Sequence, residues 1–327
     1  MLARLRRRWG FLAIAALLLL LVLVPFDWFL GDYTALMILV GIHTMVTVGL
    51  CLVMGYTGQV CLGQAAFYGL GAYGSAILAT TYHVNPWLAM ALAAVITGAF
   101  AYVVGYPIFK LKGNYLAMAT LGLGLVVVIL FEQLDSLTNG VRGITGIPRL
   151  SIGDFVFDSP FRRYFLVWFF CLATLLLAQN MVRSRTGRAL RAIHSSEAAA
   201  ESIGVNAAQF KVKIFVLSAV FASVAGSLYA HHVFYISPGR FAFLFSVVIV
   251  TMAVIGGLAS IWGAIFGTAV VRLLSDKLLI ELGGWDMIIY GMILIVVMIL
   301  VPQGLFVGLR DAYVRWRLKR AQGGAVA

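Results

Sequence analysis

The longest stretch without a charged side chain covers residues 33–109, and it constrains the fold more than any other feature. A helix needs about 20 apolar residues to cross a bilayer, because the hydrocarbon core is about 30 Å thick. This run must therefore fold back across a membrane about three times. Backbone polar groups find no water in lipid, so we expect the crossing segments to be helices. Further charge-free runs cover 9–26, 113–131, 164–182, 214–239, 241–271 and 287–309.

The composition predicts the same class of fold. Of the 327 residues, 62% are hydrophobic and 11% are charged, whereas soluble domains are about 45–50% apolar and about 25% charged. Two apolar segments near 241–256 and 261–275 are short and have Gly256 and Gly257 between them, so they are two short helices or a re-entrant pair. We predict an all-α, polytopic membrane helix bundle of about ten spans, or eight or nine with re-entrant segments. The candidate spans lie near 9–30, 34–54, 63–80, 87–109, 114–131, 164–182, 211–232, 241–256, 261–275 and 286–302.

The basic residues predict which loops face the cytoplasm, because Arg and Lys near span ends stay on that side of a membrane. An even number of spans places both termini on one side. The resulting layout puts 17 of the 24 basic residues inside, but only three of the 12 acids. The loop 132–163 is then external, and the whole chain 1–327 forms a single transmembrane domain. Its cytoplasmic parts are the basic N-terminal tail 1–8, Lys110 and Lys112, the loop 183–213, and the basic C-terminal tail 310–327.

The loop 183–213 contains signals for short helices. Ser195 or Ser196 can cap a helix, Glu197 complements the positive end of its dipole, and Gly204 can end it. Asn206 can then cap a second helix that continues into the membrane. The first of these helices is small and alanine-rich, and it would lie just outside the bilayer. Such a helix suits docking into a groove on a soluble partner.

A glycine-rich stretch follows the second candidate span. The segment 55–74, GYTGQVCLGQAAFYGLGAYG, has six glycines and several polar side chains among apolar neighbours. Glycine lets helix backbones approach closely or breaks a helix, and buried amides need partners. Two interpretations stay open, namely close helix packing or a broken helix that lines a translocation path. The candidate path residues are Gly55, Thr57, Gly58, Gln59, Gly63 and Gln64, with Asn114 and Thr120 from the next polar stretch, NYLAMATLGLG.

Missing motifs exclude several classes of function. No G-x-x-x-x-G-K-[ST] motif is present, so this chain cannot hold ATP by a P-loop. Its Cys and His residues form no metal-ligand pattern, and no nucleic-acid motif accompanies the net charge of +12. We therefore expect a transport subunit that is not an enzyme and binds neither metal nor cofactor. The long charge-free runs argue against an ion-coupled carrier or channel acting alone, although this remains the alternative.

Five stretches, in this order, resemble the permease subunits of branched-chain amino acid ABC importers, specifically those of the LivM type. The resemblance covers roughly residues 40–305. It implies a heterodimer with a LivH-type permease, two cytoplasmic ATPases that use ATP, and an extracytoplasmic amino-acid-binding protein, all at a bacterial inner membrane. The five stretches are GYTGQVCLGQAAFYGLGAYG, NYLAMATLGLG, SLTNGVRGITGIP, GRALRAIHSSEAAAESIGV and GGLASIWGAIFG.

The resemblance also implies roles for residues in the loop 183–213. The helix by which ABC importers couple to their ATPases matches Glu197, Ala198 and Ala199, and Gly204 follows one position later than in the general pattern. Arg188, Arg191 and Ser195 flank this element. The implied substrates are Leu, Ile and Val, which would move inward by alternating access. Related permeases serve urea, short amides or aromatic acids, so these substrates stay open.

Overall fold

The computed structural model describes residues 33–111, 113–152 and 155–275, together with Gly291, Met292, Ile295 and Gly308. The two tails and the candidate span 9–30 lie outside the described residues, as does nearly all of the candidate span 286–302. Each of the other eight candidate spans coincides with a helix. The helices are α1 Tyr33–Thr57, α2 Gln64–Thr80, α3 Pro86–Ile108, α4 Asn114–Gln133, α5 Asp135–Thr138, α6 Pro160–Arg183, α7 Arg185–Ser195, α8 Glu197–Ser202, α9 Ala207–Val233, α10 Phe243–Gly256 and α11 Ile261–Leu274.

Six helical segments in the described residues are apolar and long enough to cross a bilayer. They are α1, α3, α4, α6, α9 and α10, the last extended by a 3-10 turn at Pro238–Phe241. Helices α2 and α11 are shorter, with 17 and 14 residues. The predicted helical bundle is therefore confirmed. The count of about ten spans, or eight or nine with re-entrant segments, stays a prediction, because two of the candidate spans lie wholly or mostly outside the described residues.

Helices α3 and α6 both begin with a capping side chain followed by a proline. Pro86 and Pro160 occupy their first positions, where a missing N–H costs nothing. The preceding residue caps each helix: Asn85 Oδ1 accepts from the Trp87 amide at 3.0 Å, and Ser159 Oγ accepts from the Arg162 amide at 3.2 Å. Both helix starts are thus encoded locally.

Helices α1 and α9 form the centre of the bundle, and both are largely buried. Helix α1 packs against α6, α9 and α11, while α9 also packs against α2 and α3. The backbones of α2 and α9 approach closely, because a Cβ on Gly226 would lie 1.9 Å from Tyr68 O and a Cβ on Gly71 would lie 2.1 Å from Ser223 O. Small residues at this crossing provide the tight packing that holds membrane helices together.

Helices α3 and α4 lie at the periphery and expose apolar side chains. Val95 and Val103 on α3 and Tyr115 and Met118 on α4 each expose about two thirds or more of their surface. An apolar face of this kind needs lipid or another protein against it. The sequence pattern predicted the spans but not which faces would remain uncovered.

Loop contacts define two ends of the bundle. At one end His194 lies against Gly58, and Tyr56 Oη donates to Ala259 O at 2.9 Å. At the other end two short strands pair, β1 Ile144–Thr145 with β4 Tyr235–Ile236. A second pair, β2 Ser151–Ile152 with β3 Phe155–Val156, lies in the same loop and was not predicted. The loops 132–163 and 183–213 therefore lie at opposite ends of the bundle, joined by α6. That one of them is external and the other cytoplasmic stays a prediction.

Candidate functional site

The loop 183–213 is built from two consecutive helices, α7 and α8. Helix α7 folds back at the end of α6, where Ser184 Oγ accepts from the Thr186 amide at 3.1 Å. Arg191 Nη1 then donates to Val182 O at 3.2 Å and so holds α7 against the last turn of α6. A basic side chain that bonds the last carbonyls of a helix also complements its dipole.

Helix α7 itself was not predicted, although the sequence carries a signal for it. Leu190 and Ile193 are buried, whereas Arg185, Arg188 and Arg191 are exposed. Apolar residues three apart, with arginines three apart on the opposite face, are typical of an amphipathic helix. The basic residues of this loop thus carry a helix signal in addition to the topology signal.

The start of α8 agrees with one of the two predicted caps. Ser196 Oγ accepts from the Ala199 amide at 3.3 Å, while Ser195 is the last residue of α7. Asn206 caps α9 as predicted, because its Oδ1 accepts from the Gln209 amide at 3.1 Å.

Gly204 ends α8 in a conformation that favours glycine, with φ of 85°. Its amide donates to Glu201 O at 3.0 Å, and the Val205 amide donates to Ala200 O at 3.1 Å. These two bonds form a Schellman motif, which needs a left-handed residue at this position. The position of the glycine therefore follows from the length of α8.

Glu197 forms an ion pair within the chain. Lys211 Nζ lies 2.7 Å from Glu197 Oε2, and the two side chains are 1% and 28% exposed. Lys211 belongs to the first turns of α9, so the pair fastens α8 to a central helix of the bundle. Leaving either charge in this place without the other would be costly.

The outward surface of α8 is small and apolar. Ala198 and Ala199 are exposed, and Ile203 after the helix is 74% exposed. Ala200 faces inward and packs with Ile193 in a small apolar cluster beneath α7 and α8. A small, apolar helix surface of this kind suits insertion into a groove on another protein.

His194 connects α7 to the glycine-rich loop 58–63. A Cβ on Gly58 would lie 3.1 Å from His194 Nδ1, so ring and backbone are in close contact. Gly58 also has φ of 71°, which disfavours other residues. The absence of a side chain at position 58 thus lets α7 approach the end of α1.

The loop 58–63 in turn bonds α4. Thr120 Oγ1 accepts from the Leu62 amide at 3.1 Å and donates to Ala117 O at 3.0 Å. A Cβ on Gly63 would lie 2.5 Å from Thr120 O, so the two backbones touch. Within the loop, Gln59 Nε2 donates to Thr57 O at 3.2 Å.

Helix α2 begins inside the bundle. Gln64 Nε2 donates to Ser218 Oγ at 2.9 Å, and the Ala65 amide donates to Ser246 Oγ at 3.2 Å. Gly49 lies at the level of Gln64, since a Cβ on Gly49 would be 3.3 Å from Gln64 Nε2. Gly49 precedes the end of α1 by about two helical turns, or about 12 Å. The chain therefore re-enters the bundle before α2 starts, and side chains from α9 and α10 satisfy that start.

Most of the predicted path residues converge on this re-entrant loop. Thr57, Gly58, Gln59, Gly63, Gln64 and Thr120 all lie in it or contact it. Gly55 instead packs on the α10–α11 turn, where its Cβ would lie 1.8 Å from Leu258 O. Asn114 is exposed at the start of α4. The two glycine-rich segments, 55–74 and 256–267, are thus in direct contact.

We expect Thr120→Val to destabilise the protein by about 1 kcal/mol, because a partly buried Leu62 amide loses its acceptor. Thr120→Ser retains the hydroxyl and serves as the matched control. Thermal unfolding of the purified protein measures the difference. Equal melting temperatures for the Val and Ser variants would show that the Leu62 bond contributes nothing.

The arginines Arg272 and Arg240 bond polar side chains of the bundle, and no pattern in the sequence predicted either contact. Arg272 Nε donates to His43 Nδ1 at 2.8 Å, across α11 and α1, and Arg240 Nη1 donates to Tyr229 Oη at 2.9 Å. Both arginines border the charge-free run 241–271, so they lie at the ends of predicted spans. The one available signal was His43, a polar ring near the middle of an apolar helix, which needs a partner there.

The described residues contain no cluster of metal ligands, and their cysteines are buried. In this part of the chain, no three His, Cys, Asp or Glu side chains converge in a way that could hold a metal ion. Cys51, Cys61 and Cys171 are free and buried. They act as small apolar core residues.

The apolar helices, the re-entrant loop and the α7–α8 hairpin together define a polytopic membrane transport protein. The chain belongs to the family described as the permease component of branched-chain amino acid transport systems, whose sequence model matches residues 33–302. No solved structure matches the chain significantly.

Named relatives agree with the family. The chain is 30% identical to the high-affinity branched-chain amino acid transport system permease protein LivM of Salmonella typhimurium, over 81% of this chain and 67% of the relative. It is 30% identical to LivM of Escherichia coli, over 90% and 74%. The LivH permease of Salmonella typhimurium is 24% identical, over 80% and 90%. A nucleoside ABC transporter permease, NupC of Lactococcus lactis, is 24% identical over 53% of this chain.

Proposed function

We propose that this chain is one of two membrane-spanning subunits of an ATP-driven importer that moves branched-chain amino acids inward. The family and the two LivM relatives support the substrate class. One structural observation carries the mechanism. It is the series of contacts from the exposed α8, through α7, to the re-entrant loop 58–63 and α4.

The proposed assembly contains further proteins. A LivH-type permease pairs with this chain, two ATPases dock at the α7–α8 end, and an extracytoplasmic amino-acid-binding protein delivers substrate at the 132–163 end. The exposed apolar faces of α3 and α4 offer surfaces for the second permease and for lipid. The chain is placed in a bacterial inner membrane with about ten spans and both termini cytoplasmic, as its basic residues favour.

Docking uses the outward patch of α8. Ala198, Ala199 and Ile203 would enter a groove of the ATPase, because they are exposed and lack charge. Arg188 is exposed on the face of α7 opposite the buried Leu190, so it can meet an acidic group at the rim of that groove. Arg191 and Glu197 have internal partners, and we assign them to holding α7 and α8 in place.

Movement of the ATPases would pass into the membrane by two routes. The Glu197–Lys211 pair makes α8 move with α9. The contact between His194 and Gly58 makes α7 move with the loop 58–63, which bonds α4 through Thr120. Packed elements with two arrangements can transmit such a change. ATP drives it only if the ATPases bind ATP differently in the two conformations.

The re-entrant loop 58–63 would act as the inner gate of the path. Gln59 is half-buried and Val60 is 45% exposed, so the loop borders both the bundle and the space at its end. Broken helices of this kind line substrate paths in membrane transporters. Gln64, by contrast, already bonds Ser218 and is buried, so we assign it to positioning α2.

We expect labelled leucine uptake by the reconstituted complex to be inhibited by isoleucine and valine but not by urea, an aromatic acid or uridine. The complex contains this chain, the second permease, the ATPases and the cognate binding protein. Uridine is included because one relative is a nucleoside permease. Displacement by urea, aromatic acids or uridine without displacement by isoleucine and valine would remove the branched-chain assignment.

The energy source separates an importer subunit from a carrier or channel that acts alone. Uptake should stop when the ATPases are omitted and persist when ion gradients are dissipated. The opposite result would favour the lone carrier, since ion gradients are the other common source of energy.

A further inference from the structure

A polar cavity of about 120 Å³ lies inside the bundle, away from the re-entrant loop. One water needs about 10–15 Å³ on the same measure, so the space admits a group several times larger. Helices α1, α2, α9, α10 and α11 all contribute to its wall. The lining residues are His43, Tyr68, Tyr229, Arg240, Phe245 and Arg272.

The cavity runs inward from one end of the bundle. Arg240 is exposed in the 3-10 turn that joins α9 to α10, at the end where β1 and β4 pair. His43 lies ten residues into α1, or about 15 Å along the helix. The charge pattern places this end outside, so the opening faces the side from which an importer receives substrate.

The charge of the lining is positive. Two of the six lining residues are arginines, and none of the six is an acid. Each guanidinium carries five N–H donors. The Arg240 side chain donates one of them to Tyr229, and Arg272 Nε donates to His43. Charge-assisted bonds from arginine to a carboxylate are strong and can be bidentate.

Tyr68 supplies an unused polar group at the same place. Its side chain is 2% exposed, and its hydroxyl has no hydrogen-bond partner among the described residues. A buried hydroxyl without a partner costs free energy unless a ligand or water satisfies it. The ring itself packs 5.0 Å from Phe245 and 5.6 Å from Tyr229. An aromatic wall thus stands beside the cationic end and suits a small apolar body.

We propose that this cavity binds the carboxylate of a small organic acid with a short apolar body. The convergent donors are the Arg240 and Arg272 guanidinium groups and the Tyr68 hydroxyl, with Tyr229 and Phe245 beside the apolar part. Two sources share this chemistry, namely the transported amino acid and an organic acid that regulates transport. Only the first source depends on the proposed function.

The test is binding of labelled leucine and labelled 4-methylpentanoate to the purified complex in lipid nanodiscs without binding protein. The second probe has the carboxylate and side chain of leucine but no ammonium group. Leucinamide, which lacks the carboxylate, is the competitor that should fail. Tyr68→Phe is the sharpest variant, because it removes only a hydroxyl that no described residue bonds, so the fold should tolerate it.

We expect Tyr68→Phe to weaken binding about tenfold, ~1.4 kcal/mol, and Arg240→Gln to weaken it at least as much. The matched controls are Tyr73→Phe and Arg142→Gln. Tyr73 is also buried on α2, and its hydroxyl has no hydrogen-bond partner among the described residues. Arg142 is exposed at the same end of the bundle, and neither residue lines the cavity. Both controls should bind as the parent protein does.

The outcomes separate the sources and the proposals. Cavity-dependent binding of leucine alone assigns the site to the transported amino acid, whereas equal binding of 4-methylpentanoate assigns it to carboxylates in general. Binding of neither acid at millimolar concentration overturns the proposal, and so does equal competition by leucinamide or equal weakening by the control variants. Normal leucine uptake in that case would leave the importer function standing.

Discussion

Glu197→Lys should nearly abolish amino acid uptake while ATP hydrolysis by the partner ATPases continues. The change would set two ammonium groups against each other where Lys211 Nζ now lies 2.7 Å from a carboxylate oxygen. Removing one partner of a buried ion pair costs about 3–5 kcal/mol. Helix α8 has six residues and little packing of its own, so we expect it to detach from α9. Uptake and ATP hydrolysis are measured on the same proteoliposomes.

A charge exchange distinguishes an internal brace from a direct contact with the ATPase. The double variant Glu197→Lys, Lys211→Glu restores an opposite-charge pair between α8 and α9 with the signs reversed. If the pair acts within this chain, the double variant should recover much of the lost uptake. If Glu197 instead binds a basic group of the ATPase, exchange within this chain cannot restore that contact, and uptake should stay low.

Glu201→Lys is the control for charge alone. Glu201 is exposed on the same helix, and its substitution by lysine changes the net charge by the same amount as Glu197→Lys. We expect it to retain most of the uptake. Equal losses in the Glu197 and Glu201 variants would mean that the overall charge of α8, and not the pair with Lys211, supports coupling.

Local signals in the sequence were sufficient for the helices and several of their ends. Charge-free runs of the right length predicted eight helices in the described residues, because lipid leaves the backbone little choice. Ser196, Asn206 and Gly204 each act within a few residues of their own position, so caps and stops could be inferred without a fold. The start and end of α8 and the start of α9 were accordingly predicted, whereas α7 was not.

Partners distant in sequence could not be inferred. Arg272 and His43 are 229 residues apart, and Gln64 and Ser218 are 154 apart. Glu197 and Lys211 are 14 apart and meet only because a turn reverses the chain between α8 and α9. A lone polar residue in an apolar run shows that a partner must exist, but it does not identify the partner. The role of Glu197 as an internal brace therefore required the structure.

The glycines and polar residues of the 55–74 segment supported two interpretations, close helix packing and a broken helix. The structure contains features of both. Gly71 allows close packing of α2 on α9, whereas Gly58 and Gly63 belong to a loop that re-enters the bundle. Glycine content alone cannot separate these uses, because both need a missing side chain. The two uses are distinguished by the atoms that surround each glycine, which the structure gives and the sequence does not.

Gly226→Ala should lower the melting temperature of the purified protein by several degrees, whereas Gly122→Ala should raise it. A Cβ on Gly226 would lie 1.9 Å from Tyr68 O, a backbone atom that cannot rotate away. Overpacking of this kind costs about 1–3 kcal/mol. Gly122 lies inside α4 with nothing within 4 Å of its Cβ position. There the higher helix propensity of alanine should contribute up to about 1 kcal/mol.

The reciprocal contact at Gly71 provides a sharper test of the same crossing. Gly71→Ala alone should destabilise the protein about as much as Gly226→Ala, since its Cβ would lie 2.1 Å from Ser223 O. Both changes force the same two backbones apart, so the double variant should lose clearly less than the sum of the single losses. If the losses of stability in the two single variants add up to the loss in the double variant, α2 and α9 adjust independently at the two positions. Because α2 begins at the re-entrant loop, uptake should fall along with stability in each variant of this pair.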